Sequence, residues 1–383
     1  MKLTIGNLCL AICLLGLAVF EQRGNAHSLE GDEVHSHRDV VDWPKNLLSL
    51  GEGEISGFMA TSLPTAGKTK SVKRYADTPV QALPFQVFSK AVNLRWDENH
   101  LFVESNGMPE HSMMVGIRRW IGRFPMPQSY RGRNAWAIPL NPKPAAVPRS
   151  ARTGFYRGAI AMAANGVPIF NPLTNGGRDT FLSKELDRFG GHAGNGEDYH
   201  YHIAPLHLQA QLGPEHPIAY ALDGYPIYGL TEPNGQATGR LDAFNGHIGP
   251  NGDYHYHSSM SYPYVNGGFH GVVQERGGQV DPQPRSTLSR RQPFRADRNA
   301  VITGFQVIEP NRHYRLQYAA QGAVSSVEYS KGESGEWRFC FRLSNGFVGE
   351  ETIVEGSSTG EGQPPGGAPR GRGDRRRPRP HRR

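Results

Sequence analysis

The chain is expected to be mainly β with a few short helices, built as an internally duplicated, pseudo-symmetric single domain plus a small C-terminal β-meander. Three observations predict this. Gly at 47 and Pro at 29 make about a fifth of the 383 residues, which favours turn-rich strand structure over a helical bundle. A unit of roughly forty residues occurs twice. The segment 301–355 alternates apolar and polar side chains between glycine-marked turns.

At the amino terminus, Lys2 precedes an unbroken apolar run from Leu8 to Phe20. Thirteen residues are too few for a membrane span, which needs about 20, and suit the core of a signal peptide. Gly24-Asn25-Ala26 offers small residues for cleavage after Ala26, so residues 1–26 are expected to be a signal peptide and the mature protein secreted, periplasmic or at the cell surface. Cys9 and Cys13 fall inside that segment. Cys340 is then the one mature thiol, which rules out an internal disulfide and a cysteine-rich zinc site.

Residues 27–84 are polar and aperiodic and read as a leader or linker. The alternation from Phe85 to Val103 predicts paired strands, followed by a tight turn at Asn106-Gly107. Pro139 to Pro148 reads as a stiff, polyproline-like connector, and Thr180 to Phe189 as a short helix.

A repeat organises the middle of the chain. Residues 186–202 (LDRFGGHAGNGEDYHYH) match residues 241–257 (LDAFNGHIGPNGDYHYH) at eleven of seventeen positions, offset by 55. Upstream, 160–170 (IAMAANGVPIF) answers 218–228 (IAYALDGYPIY) at an offset of 58. The repeat units therefore run 160–202 and 218–257. Two copies are too few for a solenoid, so each half is expected to cover the apolar face of the other. Asn165-Gly166 and Asp223-Gly224 stand where hairpin turns require positive φ. Residues 276–300 read as a linker, 301–355 as the meander, and 356–383 as a Gly, Pro and Arg tail too polar to order itself.

Nine of the sixteen histidines lie between His192 and His270. In an extended segment alternate side chains share a face, so His200 and His202 point one way and Tyr199 and Tyr201 the other. His255, His257, Tyr254 and Tyr256 repeat the pattern. Two imidazoles so spaced can close on one ion, and His192 and His247, each eight residues before its pair, supply a third. The intervening glycines let the chain curl back, and Asp198 and Asp253 are suited to orient a ligating ring. All-nitrogen ligation suits a transition metal ion such as Zn, Cu, Fe or Ni. A purely structural role for the same His and Tyr side chains, hydrogen-bonded across the two halves, is the competing reading. His207, His216 and His270 lie outside the repeat and are read as structural. His27 would chelate copper only as a free mature amino terminus.

The paired Asp-Tyr-His-Tyr-His stretches, each preceded by Gly-His, together with Asn106-Gly107-Met108-Pro109-Glu110-His111, resemble the YHYH domain family of secreted proteins. The resemblance covers residues 85–275 and carries over His192, His200, His202, His247, His255 and His257. His111 follows a turn like those of the repeats and is a seventh candidate. The resemblance implies no particular reaction. The chain departs from the expected pattern in having no cysteine near either Gly-His.

No nucleophile elbow, phosphate loop, dinucleotide fingerprint or His-Glu-x-x-His is present, so no catalytic residue is assigned. The net charge of +7 is local: the last fourteen residues hold eight Arg and one Asp. That tail suits weak contact with anionic cell-surface polymers, and its lack of aromatics argues against sequence-specific nucleic-acid binding. The alternative overall reading is a structural or adhesive envelope protein without a metal.

Overall fold

The computed structural model describes residues 77–118, 122–286, 288 and 299–354. The expected signal peptide, most of the polar leader with His27, and the basic tail lie outside the described residues.

A 3-10 turn (Val80–Ala82) and a single-turn helix α1 (Leu83–Gln86) open the described chain, with Pro84 in the first helical turn where its missing N–H costs nothing. Phe85, expected at the start of a strand, is therefore helical. Strand β1 (Val92–Trp96) pairs antiparallel with β2 (His100–Ser105), and β3 (Trp136–Pro139) completes a three-stranded sheet. Asn106-Gly107 does not close a hairpin. Ser105 instead bridges to Tyr130, and the chain makes a long excursion before β3.

The expected Pro-rich connector is in part a strand. β4 (Pro144–Ser150) forms a two-stranded ribbon with a segment far along the chain, an edge position in which two prolines are tolerated.

The repeat units supply the central sheet. The first contributes β5 (Ala159–Ala163), β6 (Pro168–Phe170), β7 (Gly191–Ala193) and β8 (Tyr199–Tyr201). A single-turn helix α2 (Gln209–Leu212) leads to the second unit, which contributes β9 (Ala219–Ala221), β10 (Pro226–Tyr228), β11 (Gly246–Ile248) and β12 (Tyr254–His257). The eight strands lie in the order β11-β12-β10-β9-β5-β6-β8-β7, which reads alike from either edge. At the centre β5 pairs antiparallel with β9, setting Met162 opposite Tyr220. Within each unit the same pairings recur: an antiparallel hairpin, a parallel step (Ile169 opposite Tyr201, Ile227 opposite Tyr256), and an outer antiparallel pair. The hairpin turns at Asn165-Gly166 and Asp223-Gly224 form where expected, with φ of 80° and 95° at the glycines.

Thr180 to Phe189 is not a helix but a succession of turns. Asp179 and Asp187 accept hydrogen bonds from the backbone N–H groups of Leu182, Phe189 and Gly191, giving those groups an alternative to helical pairing.

After β12, β13 (Gly268–Gly271) pairs with β4, and β14 (Glu275–Arg276) with β15 (Gln279–Val280) makes a small hairpin. The C-terminal meander is five antiparallel strands in sequential order: β16 (Val301–Glu309), β17 (His313–Ala320), β18 (Ala323–Lys331), β19 (Trp337–Arg342) and β20 (Val348–Ile353). Its inward aromatics Tyr329, Phe339 and Phe341 surround Phe124, and the Tyr329 hydroxyl donates to the Pro125 carbonyl at 2.6 Å. The neighbouring backbone is held by Glu197, whose carboxylate accepts from Phe124 N–H and whose carbonyl accepts from Met126 N–H. The meander thus packs on the segment that grips the β7–β8 turn. No described helix is long and apolar enough to cross a membrane.

Candidate metal centres

The outer strand pair of each unit is in register at its histidines: His192 faces His200 across β7 and β8, and His247 faces His255 across β11 and β12. Directly opposed residues hold their Cβ atoms about 5 Å apart. The period of two then brings His202 and His257 to the same face as their neighbours. Three imidazoles therefore meet at each edge of the sheet. Five strand spacings separate β8 from β12, roughly 24 Å, so the two groups cannot share an ion.

In the first group, His202 Nε2 lies 3.1 Å from His200 Nε2 and 3.1 Å from His192 Nε2. Nitrogens about 2.0–2.1 Å from one ion stand roughly 2.9 Å apart at octahedral angles and 3.3 Å at tetrahedral ones, which brackets the observed spacing. The opposite ring nitrogens are all committed. His192 Nδ1 is 3.1 Å from the Glu185 carbonyl, His200 Nδ1 is 3.0 Å from the Asp198 carbonyl, and His202 Nδ1 is 2.6 Å from the Asn171 carbonyl. A carbonyl only accepts, so each Nδ1 carries the proton and each Nε2 presents a lone pair. Three lone pairs thus converge without a hydrogen between them. Burial first and the neighbouring His200 next push His192 down to about 3, and burial holds His202 well below the ordinary histidine range. Phe170 stacks on His200 with ring centres 3.9 Å apart and fixes its orientation.

The second group has a fourth member that the histidine spacing does not announce. Glu232 Oε1 stands 3.0 Å from His247 Nε2 and 3.5 Å from His257 Nε2, and its Oε2 3.3 Å from His255 Nε2. His247 Nε2 and His255 Nε2 are 3.0 Å apart. His257 Nδ1 donates to the Gly229 carbonyl at 3.2 Å, and His255 bonds to the backbone of Asp253. Burial, the largest influence on each, lowers His255 and takes His257 down to about 4. His257 Nε2 and Glu232 Oε2 are both buried without a hydrogen-bond partner. Buried acceptors left without a donor are costly, and a cation among the four side chains would satisfy them. The donor set of both groups fits a transition metal ion.

The hairpins are shaped around these rings. A Cβ on Gly194 would lie 2.7 Å from His200 Cε1, and one on Gly249 would lie 2.6 Å from His255 Cε1. The glycines thus leave room for an imidazole beside the turn, a different service from the curling expected of them. The Asp198 carbonyl lies 3.0 Å from His200 Nδ1 with a carboxylate oxygen of Asp198 at 3.4 Å, and His255 bonds to the backbone of Asp253.

The tyrosines occupy the opposite face as expected. Tyr199 and Tyr254 donate to Asp187 and Asp242, both at 2.8 Å, and Tyr256 donates to Asp223 at 2.6 Å. His111 joins this face and neither histidine group: its Nε2 is 2.8 Å from the Tyr201 hydroxyl, and its ring stacks on Phe189 at 3.8 Å. The expectation of His111 as a seventh ligand is therefore corrected. It follows from β2 and packs against the side of β8 that turns away from the trio. His207 lies 3.5 Å from the same hydroxyl and His270 stacks on Tyr254 at 3.7 Å, outside both groups.

No curated protein and no solved structure matches the chain. A family model described as YHYH protein matches residues 135–239, a span that ends before His247. Residues 135–239, the segment similar to the YHYH protein family, contain the first trio and Glu232.

Proposed function

We propose that this is an exported protein that binds transition metal ions at two centres, one at His192, His200 and His202, the other at Glu232, His247, His255 and His257. The observation that carries the reading is the committed Nδ1 of every ring in the first trio. Neutral imidazoles fixed in that tautomer repel one another across their Nε2 lone pairs, and a shared cation converts the repulsion into attraction. The orphaned His257 Nε2 and Glu232 Oε2 make the same argument independently at the second centre. Bound there, the ion would supply Lewis acidity or redox chemistry according to its identity. The apolar run before Ala26 supports export, and the expected mature amino terminus is His27.

The test is metal analysis by mass spectrometry on protein purified without a histidine tag. About two ions per chain are expected after supplementation. Replacing His200 and His202 by Ala should remove one, and replacing His255 and His257 the other. Substoichiometric metal in the unaltered protein would overturn the reading and leave the histidines a structural role.

A further inference from the structure

The two centres differ at one position of the repeat. At the offset of 58, Glu232 corresponds to Thr174, and the loops that carry them are folded alike. Thr174 N–H donates to the Arg178 carbonyl and Glu232 N–H to the Gln236 carbonyl, both at 2.8 Å. Leu173 bridges to Asp179 as Thr231 does to Ala237, and Gly177 and Gly235 have φ of 75° and 79°. The carbonyls just upstream, Asn171 and Gly229, hold His202 and His257 in the same way. The backbone therefore delivers residue 174 to the first trio as it delivers 232 to the second. Glu232 reaches across all three rings. Thr174 turns back, its Oγ1 accepting from Gly176 N–H and Arg178 N–H within its own loop. Among the described residues, no fourth His, Cys, Asp or Glu joins the first trio.

Charge separates the centres further. Three neutral imidazoles leave a divalent ion its full charge, whereas Glu232 cancels one unit of it. The loop that carries Thr174 is exposed at residues 175–178. Three protein ligands with an open position are the pattern of reactive metal sites, and four the pattern of structural ones.

Resting on the two-centre reading above, we infer that the centres are unequal: the His192/His200/His202 centre keeps an exchangeable position that takes water, hydroxide or a small anion, while Glu232 closes the second. Thr174 is the residue whose identity leaves the position open.

Cobalt(II) loading followed by azide titration tests this by visible absorption. Two cobalt ions per chain are expected, with azide shifting the spectrum of one. His192→Ala should abolish the azide response and leave the second cobalt in place. Thr174→Glu should retain both cobalt ions yet lose the response or weaken azide affinity at least tenfold, while the neutral Thr174→Gln retains it. Glu232→Gln should create a second responsive ion or release it. If two ions bind and azide perturbs both or neither in the unaltered protein, the inequality fails while the two-centre reading stands. A response that persists in the two-cobalt Thr174→Glu protein would equally overturn it. If no cobalt binds, both readings fail.

Discussion

His192 and His202 approach each other at 3.1 Å through nitrogens that both carry lone pairs, because Glu185 and Asn171 each hold the opposite nitrogen of one ring through a main-chain carbonyl. Two acceptors at hydrogen-bond distance with no proton to share form a contact that needs an occupant. The fold imposes it through strand register, not through the flexibility of the side chains.

Chelation should therefore destabilise the protein. An ion bound only by the folded state contributes RT ln(1 + [L]/Kd), about 4 kcal/mol at a thousand-fold excess over Kd. Calorimetry with and without a strong chelator should show a lowered Tm, restored when metal is returned. A Tm unmoved by exhaustive chelation would contradict this.

Glu232→Gln preserves shape and removes charge. Metal affinity at the second centre is expected to fall by at least about tenfold, with the first centre unaffected across the roughly 24 Å that separates them. Competition with a chromophoric chelator should resolve one weakened and one unchanged site.

The turn glycines make a sharper steric test. Gly249→Ala would place a methyl group 2.6 Å from His255 Cε1 and displace the ring. The expected result is loss of metal at the second centre and a stability cost of about 1–3 kcal/mol, measured by denaturant titration. Gly194→Ala should do the same at the first centre through His200.

His111 gives a pH signature away from the metal ligands. Burial, the largest influence, lowers it from 6.5 to about 4. A folded-state value below the unfolded one means that its stability contribution is full above about pH 6.5 and is lost as pH falls toward 4. His111→Gln should therefore be less stable than the unaltered protein at pH 7. The gap should narrow by about 1.4 kcal/mol per pH unit across that window. Asp187 and Asp223, raised to about 6 chiefly by burial, act with the opposite sign, but they are common to both proteins and cancel in the difference. A gap independent of pH would show that His111 does not titrate as its surroundings dictate.

The alternation in Tyr-His-Tyr-His makes the division of faces legible, because a period of two leaves no other arrangement on a strand. Eight-residue spacing to a Gly-His likewise anticipates the cross-strand partners His192 and His247. Glu232 is hidden in the sequence because it sits in a turn, Thr231-Glu232-Pro233-Asn234-Gly235, where no periodicity assigns a direction to a side chain. The signal that finds it is the repeat itself: at offset 58 a carboxylate replaces a hydroxyl beside an otherwise equivalent constellation. His111 misleads for the complementary reason. A local likeness to the repeat turns cannot reveal that the three-stranded sheet delivers it to the tyrosine side. The Thr180–Phe189 segment fails as a helix because Asp187 takes the N–H groups of Phe189 and Gly191 locally, a competition that apolar periodicity does not announce.

The parallel step between β10 and β12 bears on how this protein is handled at the bench. A fragment cut at residue 239 would keep β10 and forfeit the strand that covers its flank, exposing unsatisfied amides along a hydrophobic ribbon. Such a truncation invites intermolecular strand addition, and its insolubility would say nothing about the parent molecule. The smallest fragment that retains every partner of the central sheet reaches His257, and the mate of β4 extends it to Gly271. The family-matching segment is thus shorter than the span that supplies the strands of the central sheet.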